Sequence, residues 1–192
     1  MRIEVIGADQ INIRAMPEYK QIELGMGVGL IQGINILGQL ARLAASRPIG
    51  KYTDNRSYTK GLILGFFIVG TAYFLNIFTT PATWWIIIIY TLLYNVAMAG
   101  IGQNLNNIIY NFVEDKYFVQ ASALKNSIGG IVGFGVALVS SRIMRAVQAN
   151  SNEIFGVTIY AQQILSLISF VFTMLVIFFA HKFLEKRKII AR

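Results

Sequence analysis

The sequence predicts an all-α fold, a polytopic membrane protein with about five transmembrane helices. Of its 192 residues, 55% are apolar and 14% are charged, whereas an average soluble domain has about 25% charged residues. Four stretches carry no charged side chain: residues 24–41, 61–113, 126–141 and 154–180. A charge at the centre of a bilayer is costly, so uncharged stretches of this length indicate membrane spans. Helices are expected because an open sheet would leave its backbone unsatisfied in lipid.

The predicted spans follow from these uncharged stretches. The stretch from 61 to 113 is too long for one crossing and is interrupted at Pro81, which disfavours helix continuation. We therefore expect a bundle over residues 22–181 with spans at about 22–46, 61–78, 84–110, 122–144 and 157–180. Residues 1–21 form an external segment or a remnant loop, and residues 182–192 form a basic cytoplasmic tail.

Lysine and arginine residues are concentrated on one side of these spans. Eleven lie in the loop after the first span, around the loop after the third and in the C-terminal tail, and five lie on the opposite side. The positive-inside rule therefore predicts a cytoplasmic C-terminus and an external N-terminus. We expect a multi-pass protein of the cell (plasma) membrane. Because topology explains the basic excess, we expect the lipid bilayer, and not nucleic acid, to be the partner of these charges.

Several kinds of chemistry lack the residues that they need. The chain has no Cys and one His, which excludes disulfides and thiolate chemistry and leaves too few ligands for a zinc site. All nine acidic residues lie in predicted loops, tails or span ends. An intramembrane enzyme would need paired acids, an activated serine or metal ligands near the midplane. We therefore expect no enzyme activity, no cofactor and no metal, and any proton-coupling carboxylate would lie outside this chain.

Amide side chains inside the spans are the candidate binding residues. Gln32, Asn35 and Gln39 align on one stripe of the first span because they are three and four residues apart. Asn104 and Asn107 share a face of the third span. An amide that faced lipid would be costly, so these side chains should contact either a neighbouring helix or a watery cavity. Both interpretations stay open; the cavity would hold a small-molecule solute of unknown identity.

Glycines recur at a spacing of four residues in three of the spans. They are Gly25, Gly29 and Gly33 in the first, Gly61 and Gly65 in the second, and Gly129 and Gly133 in the fourth, with Gly130 and Gly135 beside them. This spacing places them on one helix face, where a neighbouring backbone can approach closely. They are typical of general membrane-helix packing or of sliding contacts in a moving transporter.

The loop over residues 46–60 resembles the signature loop of the major facilitator superfamily, in which a glycine is followed by an aspartate and a basic cluster. Gly50, Asp54 and Lys60 match that pattern, and Arg56 lies one position late. Asn55, Ser57 and Thr59 depart from it. The number of spans and the approach to the fourth span over residues 121–130 are also similar to helices eight to twelve of these transporters. The resemblance covers about residues 22–181.

This resemblance implies the C-terminal part of a secondary active transporter that works by alternating access. It implies that Gly50, Asp54, Arg56 and Lys60 form a cytoplasmic latch that docks on the N-terminal half of the transporter. Gly50 would permit a tight exit from the first span, and Asp54 would accept hydrogen bonds from a helix N-terminus. We expect the chain to be a truncated permease that is inactive alone. The alternative is a structural or regulatory membrane subunit without transport activity.

Overall fold

The computed structural model describes residues 20–21, 24–150, 152–154 and 157–184. These residues are helical apart from connections and one short antiparallel strand pair, Glu153–Ile154 with Val157–Thr158. The long helices are α1 (Val28–Asp54), α2 (Tyr58–Asn76), α3 (Ile86–Phe112), α4 (Phe118–Ala149) and α5 (Ala161–Phe179). All five are long and apolar enough to cross a membrane, which confirms the predicted all-α class and number of membrane-spanning helices.

Short helical turns complete the connections. A 3₁₀ turn at Pro81–Thr83 lies between α2 and α3, where the break was predicted, and another at Asp115–Tyr117 precedes α4. A π-helical turn at Ala180–Leu184 follows α5. The start of the first predicted span at residues 22–23, the segment 1–19 and the tail from residue 185 onward lie outside the described residues.

The first helix is longer at its C-terminal end than the sequence predicted. α1 continues to Asp54 and contains Pro48 and Gly50, so a tight exit from the span at Gly50 is wrong. Ile49 and Thr53 are buried, and this packing on neighbouring helices extends α1 beyond residue 46. The turn into α2 is therefore only three residues long.

The turn between α1 and α2 is closed by a helix cap. Ser57 precedes the first residue of α2, and its Oγ accepts a hydrogen bond of 3.2 Å from the backbone amide of Lys60. On the other side of the turn, the amide of Asn55 donates to the carbonyl of Lys51 at 3.2 Å. These bonds satisfy backbone groups that a helix end leaves unpaired.

The apolar core lies mainly between α2 and α3, with one side chain from α5. It consists of Leu62, Phe66, Val69, Ala72 and Tyr73 from α2, Ile87, Tyr90, Ala97 and Ile101 from α3, and Val176 from α5. Gly65 permits the close approach of the two backbones, because a Cβ at this position would lie 2.7 Å from Ile101 Cγ1 and 3.3 Å from the carbonyl oxygen of Ala97. The glycines of the second span thus serve packing within the chain.

Helices α1 and α4 are much less buried than α2 and α3. In the most apolar stretch of each helix, 17% of α1 and 28% of α4 is buried, compared with 50% of α2 and of α3. α1 packs on α3 at Gly38, where a Cβ would lie 2.5 Å from Asn95 Nδ2. α4 packs on α5 around the fully buried Leu165. Large parts of α1 and α4 are therefore left without a neighbour among the described residues.

A buried polar link joins α2 to α5 at the end of the bundle away from the α1–α2 turn. Asn76 Nδ2 donates to Ser166 Oγ at 2.7 Å, and Asn76 Oδ1 accepts from Thr79 Oγ1 at 3.1 Å. Gln162 Nε2 donates to the same serine oxygen at 3.2 Å, and Gln163 Nε2 donates to the Thr79 carbonyl at 3.2 Å. Gln163 at the start of the fifth span therefore contacts the α2–α3 connection, whereas the hydrogen bond from Gln162 to Ser166 lies within α5.

Candidate functional site: a polar cavity between α1, α3 and α4

A cavity of about 760 Å³ lies between α1, α3 and α4. Its lining consists of Gln39, Arg42, Leu43 and Ser46 from α1, Met98, Ala99, Gly102, Gln103 and Asn106 from α3, and Lys125 and Asn126 from α4. Four of these side chains are amides and two are cations, and none is a carboxylate. The lining can therefore donate and accept hydrogen bonds and carries a positive charge.

The predicted amide stripe of the first span lies on an exposed face of α1. Gln32, Asn35 and Gln39 are all exposed, and the same face continues to Arg42 and Ser46 at spacings of three and four residues. Gln39 is the member of the predicted stripe that lines the cavity, whereas Gln32 and Asn35 lie further along the face and are not part of the lining. The same spacing could have extended the stripe to Arg42 in the sequence.

Asn104 and Asn107 lie away from the cavity lining. Asn104 is 1% exposed and packs against α2, where a Cβ on Gly61 would lie 2.6 Å from its Nδ2. Its Oδ1 has no hydrogen-bond partner among the described residues. Asn107 is partly buried. Asn104 therefore lies in the contact between α3 and α2.

The cavity receives two other amides of α3, Gln103 and Asn106, each one position before a predicted residue. One position on a helix rotates a side chain by about 100° around the axis. The polar residues of the third span occupy several faces, so their spacing does not decide which face meets the cavity. That choice depends on where α1 and α2 pack, which the sequence of α3 does not contain.

The two cations of the cavity have different surroundings. Lys125 Nζ donates a hydrogen bond of 2.9 Å to Asn106 Oδ1 and so joins α4 to α3. Arg42 makes no hydrogen bond and no ion pair with any residue that the structure describes. Within the part of the chain that the structure describes, one cation is therefore held by a neutral amide and the guanidinium of the other has no partner.

The predicted latch residues all lie at the α1–α2 end of the bundle. Gly50 lies within the last turns of α1, and Asp54 is the exposed last residue of that helix. The guanidinium of Arg56 lies 5.4 Å from the centre of the Tyr52 ring, an arrangement that favours a cation–π contact. Lys60 is exposed in the first turn of α2. Asp54 makes no hydrogen bond or ion pair with the described part of the chain, so the expected pairing with a helix N-terminus is not formed there.

Comparisons with known proteins do not assign a function to this chain. No family model matches the chain, and no curated protein or solved structure gives a significant match. A function must therefore be argued from the residues of the site and not from the fold.

Proposed function

We propose that this chain supplies one half of a solute pathway in a secondary active transporter of the major facilitator type, which works by alternating access. The observation that carries the proposal is the polar cavity between α1, α3 and α4 in a bundle of membrane-spanning length. In transporters built from two bundles, the substrate site lies between the bundles near the middle of the membrane. A cavity in this position would form one wall of such a site.

The exposed stripe on α1 supports a watery pathway. Gln32, Asn35, Gln39 and Arg42 face outward from the described bundle on a helix long enough to span a membrane. Amides and charges that face lipid are costly, and in membrane proteins they usually face a bundle interior or a water-filled cavity. The stripe is therefore expected to face water or polar groups of a second bundle.

The open glycines on α1 and α4 support a second helical bundle as the partner. A Cβ added at Gly29, Gly33, Gly130 or Gly135 would meet nothing within 4 Å. Faces of small residues let membrane helices approach closely, and association in lipid depends on such packing. The second bundle would cover these faces and provide the other wall of the cavity. The exposed Asp54 at the end of α1 would then be available for the latch contact with that bundle.

Single-cysteine labelling tests whether the cavity is hydrated. The chain has no native cysteine, so each variant carries one thiol. Gln39→Cys and Gln103→Cys place it in the cavity lining, and Phe67→Cys places it on α2, where the native side chain is 61% exposed and apolar. In membrane vesicles, a membrane-impermeant maleimide should label both cavity positions roughly tenfold faster than Phe67→Cys, because a thiol in water ionises to the reactive thiolate. Equal rates at the three positions would overturn the proposal.

Orientation can be tested with the same reagent. The proposed topology places the α1–α2 turn in the cytoplasm and the α2–α3 connection outside, with the protein in the plasma membrane. Asn55→Cys and Ala82→Cys are exposed positions in these two connections. In intact cells only Ala82→Cys should react, and Asn55→Cys should react after the membrane is opened. The reverse pattern would contradict the proposed orientation.

Reconstitution tests the claim that the chain forms half of a pathway. A single bundle offers one wall of a cavity, so the chain alone in proteoliposomes is expected to give no saturable solute uptake. Saturable uptake by the chain alone would contradict the half-pathway model. Unreactive cavity cysteines together with a stable complex with an unrelated protein would instead favour a structural or regulatory subunit.

A further inference from the structure

The charge of the cavity is not balanced by any acid in its lining. The acidic side chains that the structure describes are those of Asp54, Glu114 and Asp115, and none of them lines the cavity. Glu114 instead pairs with Lys116 at 3.0 Å outside the cavity. Arg42 and Lys125 therefore contribute two positive charges that no described carboxylate neutralises.

Arg42 lies well inside the length of its helix. α1 ends at Asp54, and twelve residues at 1.5 Å each place Arg42 about 18 Å from that end along the axis. An arginine at this depth in a membrane helix usually pairs with another group or marks a substrate path. Arg42 has no such partner among the described residues, which leave its five N–H donors unused.

The neutral side chains around the two cations indicate which other chemical groups a ligand of the cavity would carry. Gln39, Gln103 and Asn126 offer amide donors and acceptors, and Leu43 and Met98 add a small apolar area. Amides suit hydroxyl groups, and a guanidinium suits a phosphate or carboxylate because it can donate two parallel hydrogen bonds.

We propose that the cavity binds a small hydroxylated organic anion, with Arg42 holding its phosphate or carboxylate and Lys125 adding a second positive charge. This inference rests on the proposed function, because it names the class of solute for the same pathway. Lys125 would keep its hydrogen bond to Asn106 while its charge attracts the anion. The anionic group could also belong to a lipid headgroup, and the experiment separates these two sources.

Protection of a cavity thiol measures binding without requiring transport. Ser46→Cys replaces a hydroxyl of the lining with a thiol of similar size. The full chain in a maltoside detergent is alkylated with N-ethylmaleimide at increasing concentrations of glucose 6-phosphate or glucose. At about nine times the Kd, roughly one tenth of the sites are free, so glucose 6-phosphate should slow alkylation about tenfold. Glucose at the same concentration should leave the rate unchanged.

Two further pairs of solutes extend the test beyond a single compound. Succinate is compared with succinamide, and glutamate with glutamine. In each pair the charged member is expected to protect the thiol better than the neutral one. Absence of charge discrimination in all three pairs would overturn the inference.

Arginine variants in the Ser46→Cys background test the proposed anchor. Arg42→Gln should weaken the apparent affinity for glucose 6-phosphate by roughly 10- to 100-fold, because it removes charge-assisted hydrogen bonds. Arg42→Lys keeps the charge and should retain part of the affinity. Arg142→Gln is the matched control, since it removes an exposed arginine of α4 that does not line the cavity. Unchanged affinity in Arg42→Gln, or an equal loss in Arg142→Gln, would contradict the assignment.

Lipid competition separates the two sources of the anion. Phosphatidylglycerol added to the detergent solution should protect Ser46→Cys less than glucose 6-phosphate does. Equal or better protection by the lipid would mean that the cations hold a headgroup, and the inference would be wrong. A cavity that labels rapidly at Gln39→Cys but shows no anion protection would reject this inference and leave the proposed pathway standing.

Discussion

Helices α2 and α1 contain glycines at the same four-residue spacing but use them differently. On α2, an added Cβ at Gly65 would collide with Ile101 of α3, and one at Gly61 would collide with Thr53 of α1 and Asn104 of α3. On α1, an added Cβ at Gly29 or Gly33 would meet nothing within 4 Å. On α4, Gly129 and Gly133 have the four-residue spacing and are buried, whereas Gly130 and Gly135 beside them are open. The four-residue spacing of glycines therefore predicts a helix face suited to close approach, but it does not identify the helix that approaches.

Polar residues show the same contrast. Asn76 on α2 is fully buried and donates to Ser166 on α5, whereas Asn35 on α1 is exposed. Both are asparagines within helices of membrane-spanning length. Asn76 has its hydrogen-bond partner inside the chain, and Asn35 faces away from the described bundle. The difference lies in the packing of the helix and not in the residue.

The largest effect is expected from filling a glycine contact. Gly65→Leu would force side-chain atoms into the space of Ile101 and the Ala97 backbone and should destabilise the bundle by about 3 kcal/mol, the upper part of the usual range for overpacking. Gly33→Leu is the matched control because its position is open, and its effect on the chain alone should be below about 0.5 kcal/mol. Unfolding in detergent measures both. Similar losses in the two variants would break the contrast between α2 and α1.

A smaller loss is expected from removing the buried asparagine. Asn76→Leu deletes the hydrogen bonds to Ser166 and from Thr79, and should destabilise the chain by about 1.5 kcal/mol because their polar atoms stay buried. Asn35→Leu changes the same residue type on the exposed face of α1 and should leave the chain alone as stable as before. The same unfolding assay compares them, and equal stability of Asn76→Leu and wild type would contradict the assignment of this link.

The cap at the start of α2 should have a still smaller effect. Ser57→Ala removes the hydroxyl that accepts from the Lys60 amide and should destabilise the chain by about 1 kcal/mol. Ser46→Ala is the control within α1, where the hydroxyl only donates to the carbonyl of Leu43 in its own helix. Thermal unfolding should show a lower midpoint for Ser57→Ala than for Ser46→Ala.

The smallest stability effect is expected at the cavity. Arg42→Gln should change the stability of the chain alone by less than about 0.5 kcal/mol, because the guanidinium makes no hydrogen bond or ion pair with described residues. A loss as large as that of Asn76→Leu would show that Arg42 supports the fold. The cavity around Arg42 would then be a packed region like the contact between Asn76 and Ser166, and not a region that holds a ligand.

The sequence predicts the helices better than it predicts their faces. Uncharged stretches and Pro81 are enough to locate five spans, because the cost of charge in lipid acts on each segment separately. The sequence predicts the end of the first span at about residue 46, whereas α1 continues to Asp54 with Ile49 and Thr53 buried. Ile49 lies against Gly100 of α3 and Thr53 lies against Gly61 of α2, so this packing leaves little signal within α1 itself.

The sequence predicts the amide side chains of the candidate site, but it does not predict which face of α3 is turned toward the cavity. The stripe of Gln32, Asn35 and Gln39 is an exposed face of α1, as its regular spacing allows. On α3 the spacing offered several faces, and the cavity receives Gln103 and Asn106 in place of Asn104 and Asn107. Which face meets the cavity is decided by glycines on other helices, such as Gly61 against Asn104.

The link between Asn76 and Ser166 also bears on how deeply α5 sits. The large exposed side chains of α5 are aliphatic and aromatic, whereas its polar residues Gln162, Ser166, Ser169 and Thr173 are buried. A shift of α5 along its axis by one helical turn, about 5.4 Å, would separate Ser166 from Asn76 and break this hydrogen bond between two buried side chains. Together with the hydrogen bond from Gln163 to the Thr79 carbonyl, this pair fixes the height of α5 relative to α2.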